Sequence, residues 1–109
     1  MQSFNTEKVI PEHPGELLRR EYLIPLGLTQ QQLADDLHVP FQRINGLVNG
    51  KRGVSPGTSL RLAKYFRTSD DFWMKIQTNW DLHWCKNKES SLLDTIQPFE
   101  AISTEPAKR

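Results

Sequence analysis

The chain has 109 residues, enough for one domain with a real but thin hydrophobic core. With 25% charged and 37% hydrophobic residues and a single cysteine, it excludes wholesale disorder and any disulfide framework, and no apolar run is long enough to span a membrane. The net charge of +1 is unevenly spread: residues 1–27 sum to −1, residues 28–67 to +4 and residues 68–109 to −2, so the positive field sits mid-chain. The lone Cys85 and the lack of a signal-peptide pattern fit a reducing cytoplasm.

In chain order, residues 1–12 show little periodicity and read as a flexible arm, with Val9 and Ile10 as candidates to pack on the domain. A domain is expected over residues 13–88 and a tail over residues 89–109. His13-Pro14-Gly15-Glu16 opens a first helix, with Pro early and Glu at the positive end of the dipole. Leu17, Leu18 and Tyr22 form its apolar stripe, and it should end before Pro25. Arg19 and Arg20 read as a solvated face, with a phosphate contact as the alternative.

Leu28 to Arg52 reads as two short helices around a tight turn, the arrangement that places a second helix in a DNA major groove. Thr29 caps the first, with Gln32 completing a capping box. Leu33, Ala34 and Leu37 share its inner face, and His38-Val39-Pro40 breaks it. The second helix should run from about Phe41 to Val48, bury Ile44, Leu47 and Val48, and close on Asn49-Gly50.

Its other face carries Phe41, Gln42, Arg43, Asn45 and Gly46. Gln and Asn pair bidentately with adenine, Arg with guanine, and an aromatic ring can press on a thymine methyl. Lys51 and Arg52 are expected at phosphates, which position a protein without reading sequence. Plainer readings stand beside these: Phe41 packs under the preceding helix or at a dimer contact, and Arg43 is a solvated charge. Gly46 costs about 1 kcal/mol in a helix, which implies close approach of DNA or, the favoured reading, of the first helix.

Ser55-Pro56 starts a fourth helix with Leu60, Leu62, Ala63 and Phe66 as its core stripe; Arg61, Lys64 and Arg67 add to the basic surface. Thr68-Ser69-Asp70-Asp71 should cap a fifth, which runs to about Lys86 and holds Phe72, Trp73, Ile76, Trp80 and Trp84 along one side. One small core is not expected to cover all five, so Trp80 and Trp84 are read as a homodimer or partner surface; the alternative is that they seal the core. Cys85, in this aromatic-rich helix, is expected to be a buried structural thiol. In the tail, Leu92, Leu93, Ile96, Phe99 and Ile102 suggest a docking segment or short strand.

Catalytic chemistry finds no support. His13, His38 and His83 lack metal-ligand spacing with one another or with Cys85, no Gly-rich phosphate loop is present, and the two Asp pairs read as helix charges. Neither an enzyme, a cofactor nor a small-molecule effector is expected.

Three segments carry a family resemblance: H-P-G-E-L-L-x-x-E-Y-L-x-P-L-G-L-T-Q (His13 to Gln30), N-G-K-R (Asn49 to Arg52) and L-A-K-Y-F-x-T-S-x-D-F-W-M-x-I-Q (Leu62 to Gln77). Together they resemble the HigA-type antitoxins, also labelled virulence-associated protein I, within the Xre helix-turn-helix group. The resemblance covers roughly Pro11 to Trp84. It implies an all-α, five-helix, lambda-repressor-like domain that dimerises through its C-terminal helix and represses its own operon. It also implies neutralisation of a HigB-type toxin, an mRNA-cleaving ribonuclease of the RelE-like class. Gln30 would contact backbone phosphate, and Phe41, Gln42, Arg43 and Asn45 would face the groove. Pro40-Phe41 stands where related domains often carry small polar residues, which leaves the base preference open.

The expected function is thus a dimeric, operator-binding repressor acting as an antitoxin. Two alternatives share much of the sequence signal: a stand-alone regulator without a toxin, and a protein-interaction module without DNA binding.

Overall fold

The computed structural model describes residues 10–100. Among the described residues it holds six helices and no strand. The first, α1, joins three contiguous segments: an α-helical turn at Pro14–Leu18, a π-helical turn at Arg19–Leu23 and a last turn at Ile24–Leu26. Then follow α2 (Gln30–Leu37), α3 (Phe41–Val48), α4 (Pro56–Phe66), α5 (Phe72–Lys88) and α6 (Ser90–Asp94). No described helix is long and apolar enough to cross a membrane.

Helix α1 starts on His13, whose Nδ1 accepts the Gly15 N–H at 3.0 Å. Contrary to expectation it does not stop before Pro25. Proline there has no N–H and its ring crowds the preceding turn, and the chain answers by widening that turn to a π geometry. The helix then ends at Gly27, whose φ of +62° suits a residue without a Cβ. Leu18 and Leu23 are buried on its inner side, with Leu17 and Tyr22 partly covered.

Ahead of α1, Ile10 is 64% exposed and does not pack on the domain. Glu12, placed by sequence in a flexible arm, is instead tied to Arg20 by a two-pronged ion pair. Val9 and the rest of that arm lie outside the described residues, as does Ile102 in the tail.

Helix α2 has half of its expected capping box: the Thr29 hydroxyl accepts the Gln32 N–H at 3.0 Å, with no return bond from the Gln32 side chain among the described hydrogen bonds. The helix ends in the expected His38-Val39-Pro40 segment, at its first residue. His38 takes a left-handed φ of 61°, and Val39 N–H bonds back to the Ala34 carbonyl at 3.0 Å. Helix α3 spans the expected residues. Leu33, Ala34 and Leu37 of α2 join Ile44 and Leu47 of α3 in the core.

Helix α4 begins on Ser55, which accepts the Thr58 N–H at 3.3 Å. Its buried stripe is Thr58, Ser59, Leu62 and Ala63. Leu60, expected inside, is 53% exposed. At 3.6 residues per turn Ser59 belongs with Leu62, Ala63 and Phe66, and Leu60 falls off that face. Ser59 is tolerated inside because its hydroxyl donates to the Asp70 carbonyl at 2.7 Å.

At the start of α5 the expected side-chain cap is missing. Asp71 accepts from the Ser69 hydroxyl at 3.0 Å and pairs with Lys75 at 3.4 Å instead. Trp73 is fully buried against Tyr22 and Phe66, with ring centroids 5.2 and 6.4 Å away. Further along, Cys85 is exposed, which corrects the expectation of a buried thiol. The described part of the tail, residues 89–100, forms neither a strand nor a docked segment: α6 is a short helix, and Leu92, Leu93, Ile96 and Phe99 stay exposed.

Candidate nucleic-acid interface

Helices α2 and α3 meet through the three-residue turn 38–40, with their apolar residues inside and a polar row outside. Along that row Phe41 is 38% exposed and Gln42 is exposed; Gln30, Arg43 and Asn45 are half-buried; Asn49, Lys51 and Arg52 are exposed. Phe41 is therefore not sealed beneath α2, and its ring is available at the N-terminal end of α3. Arg43 is less free than the solvated-charge reading supposes, since its Nε is buried without a hydrogen-bond partner.

Three residues treated as independent in sequence turn out to be one network. Asn45 Nδ2 donates to Gln30 Oε1 at 3.0 Å, and Asn49 Nδ2 donates to Asn45 Oδ1 at 3.2 Å. The first residue of α2 is thereby tied to the middle and end of α3.

Close approach falls elsewhere than expected. A Cβ on Gly46 would meet the Arg52 side chain, with Nε at 3.2 Å, and not the preceding helix. The backbone that touches α3 belongs to α1: a Cβ on Gly15 would lie 1.7 Å from the Leu47 carbonyl oxygen. Helix α1 thus braces the C-terminal end of α3 backbone to backbone, and a side chain at 15 would push the two apart.

Charge is distributed in a way that favours an anion at this face. Arg19 pairs with Glu16 at 2.8 Å, and Arg20 with Glu12 and Glu21, so the guanidiniums of α1 are already neutralised. The Glu16 carboxyl is held below its usual range by its bond to Arg19, and Arg20 is held protonated by its two carboxylates. None of the ion pairs among the described residues involves Arg43, Lys51 or Arg52. Arg61, counted with the basic surface, is committed to the fold: its Nε donates to the Leu37 carbonyl at 3.0 Å, closing the end of α2. Beside it the Tyr65 hydroxyl donates to Asp36 at 2.6 Å, which raises the phenol's pKa.

Two supporting residues escaped sequence reasoning. Gln77, buried in α5, accepts the Val54 N–H at 2.8 Å and donates to Asp81 at 2.9 Å. It fastens the segment that leaves Lys51-Arg52 to α5. The available signal was a polar residue on the buried face of α5, one turn beyond Trp73. His13 caps α1 and packs edge-on against Trp80, centroids 5.2 Å apart. Burial lowers its pKa, with the Asp81 charge opposing. Trp80 is therefore half-buried on α1, while Trp84 is 47% exposed, so the two read together in sequence have different surroundings.

Known proteins share this arrangement. The helix-turn-helix family profile matches residues 20–73. Virulence-associated protein I of Dichelobacter nodosus is 44% identical over 80 residues, spanning 73% of this chain and 74% of that protein. An uncharacterized HTH-type transcriptional regulator of Escherichia coli K12, YbaQ, is 36% identical over 91% of this chain and 92% of its own. Among solved structures, the Pseudomonas aeruginosa antitoxin HigA with higBA promoter superposes with a TM-score of 0.78 at 35% identity, covering 81% of this chain and 97% of that one.

Proposed function

The chain belongs to the helix-turn-helix family of virulence-associated protein I and the HigA antitoxins, and from that membership we propose that it is an operator-binding transcriptional repressor and the antitoxin of a toxin–antitoxin pair. The observation that carries the reading is the outer face of α3: exposed Phe41 and Gln42 at its N-terminal end, with Lys51 and Arg52 just beyond its cap and in no ion pair among the described residues. Gln42 reads adenine through its amide, Phe41 presses on a thymine methyl, and Arg43 reaches toward a guanine edge. Lys51, Arg52 and Gln30 hold phosphates.

The protein acts as a dimer, with two copies of α3 entering half-sites about one helical turn, or a multiple of it, apart. Exposed Trp84 at the far end of α5 supports pairing through that helix. The second partner is a HigB-type toxin, and the site of action is the cytoplasm. Catalysis has no part in this reading.

A gel shift on DNA upstream of its own gene tests the repressor. A retarded band that survives unrelated competitor DNA is expected, and its absence leaves a protein-interaction module. Co-expression with the adjacent reading frame tests the antitoxin: growth arrest rescued by this chain, with co-purification, is expected. The likeness to YbaQ, named only as a regulator, favours the second reading, a stand-alone repressor; no toxicity and no complex would select it.

A further inference from the structure

Asn45 sits in the polar row of α3, yet both ends of its side chain are engaged. Its nitrogen donates to Gln30 and its oxygen accepts from Asn49. An asparagine that reads adenine needs that same oxygen and that same nitrogen side by side on the base edge. Gln42, three residues earlier, is exposed and has no side-chain partner among the described hydrogen bonds, so it can read without giving anything up.

The network also has a direction. Asn49 donates to Asn45, and Asn45 donates to the carbonyl oxygen of Gln30. In this arrangement the Gln30 amide turns its oxygen toward Asn45 and leaves its NH2 as the free end. Gln30 is the first residue of α2, where the helix dipole favours an anion. A phosphate oxygen only accepts, so it needs that NH2. An amide turned the other way would set oxygen against oxygen.

We infer that Asn45 is a positioning residue and not a base reader: it orients Gln30 so that the amide NH2 meets a DNA phosphate at the start of α2, and Asn49 steadies Asn45 from the exposed side. The inference rests on the operator-binding reading above. Sequence discrimination then falls on Phe41, Gln42 and Arg43, while Asn45 sets the docking register of α2 and α3 on the backbone.

The test is fluorescence anisotropy with the full chain on DNA upstream of its gene, comparing the parent, Asn45→Ala, Gln30→Ala and the double variant. Each protein is titrated against single base-pair substitutions and against operators carrying one neutral methylphosphonate at successive positions. Each single variant is expected to bind about tenfold more weakly, with an unchanged base-preference profile and with the double variant no weaker than either single. One methylphosphonate position should weaken the parent and have no effect on Asn45→Ala. Asn49→Ala, a change at an exposed residue that leaves the fold intact, should give a smaller loss at that same phosphate. Loss of discrimination at one base pair in Asn45→Ala or Asn49→Ala, or multiplying losses in the double variant, overturns the inference and leaves the repressor reading standing. Absence of parent binding to any upstream fragment overturns both.

Discussion

Helices α3 and α5 solve the same problem with different completeness. Helix α3 is 8 residues long and every face has a partner or a use: Ile44 and Leu47 in the core, Asn45 bonded to α2, Phe41 and Gln42 turned outward. Helix α5 is 17 residues long and divides in two. Its first part buries Trp73 and uses Gln77 to hold the Val54 backbone. Its second part carries Leu82 and Trp84 at 62% and 47% exposure, and Leu92 and Leu93 of α6 are exposed as well. A small domain core is filled by the first two turns of such a helix, so the remaining apolar surface is available to another molecule. An exposed polar row and an exposed apolar row point to different partners: the first suits the base edges and phosphates of DNA, the second a protein.

The largest test of that division compares two tryptophans on one helix. Trp73→Ala should destabilise the domain by about 3–5 kcal/mol, read by chemical denaturation, because it empties a site sealed by Tyr22 and Phe66. Trp84→Ala should leave monomer stability within about 0.5 kcal/mol and instead lower the self-association seen by analytical ultracentrifugation. Comparable losses of stability in both variants would erase the distinction.

Next in size is the outer face of α3. Gln42→Ala should weaken operator binding by about 1–3 kcal/mol while leaving binding to unrelated DNA and the oligomeric state unchanged. Operator affinity equal to that of the parent protein would remove Gln42 as a reader.

His13 links the two regions, since it caps the helix whose Gly15 rests on α3 and packs against Trp80 of α5. Its pKa is lowered in the fold, chiefly by burial. The neutral ring is therefore the favoured native form. This stabilisation is complete above the unfolded value of about 6.5 and is lost as pH falls through the lower folded value. Thermal melts should show stability declining below about pH 6.5, and His13→Ala should remove that part of the decline and cost about 1 kcal/mol at neutral pH. A parallel pH dependence in His13→Ala would assign the effect to other groups.

The smallest expected change is at Lys51. Lys51→Ala should weaken binding to all sequences alike and reduce the slope of log affinity against log salt by about 1. An unaltered slope would detach Lys51 from the phosphates.

The sequence by itself determined where most helices begin and what kind of face each would present. Thr29 and Ser55 cap their helices as read, and α3 spans the expected residues. These signals act within about four residues: a hydroxyl reaches the N–H three positions on, and alternate turns bring apolar residues to one side. Even locally, a residue can be overruled when a neighbour offers another conformation, as the π turn before Pro25 does.

What only the tertiary structure decided are relations between residues far apart in the chain. Asn45 and Gln30 are 15 positions apart, Val54 and Gln77 are 23 apart, and neither pair leaves a periodic trace. An amide is compatible with a surface, a groove or a buried bond, so composition cannot choose among them. The burial of Ser59 over Leu60 and the partial burial of Trp80 beside an exposed Trp84 were decided the same way, by which face a neighbouring element approaches and by how soon the core is full.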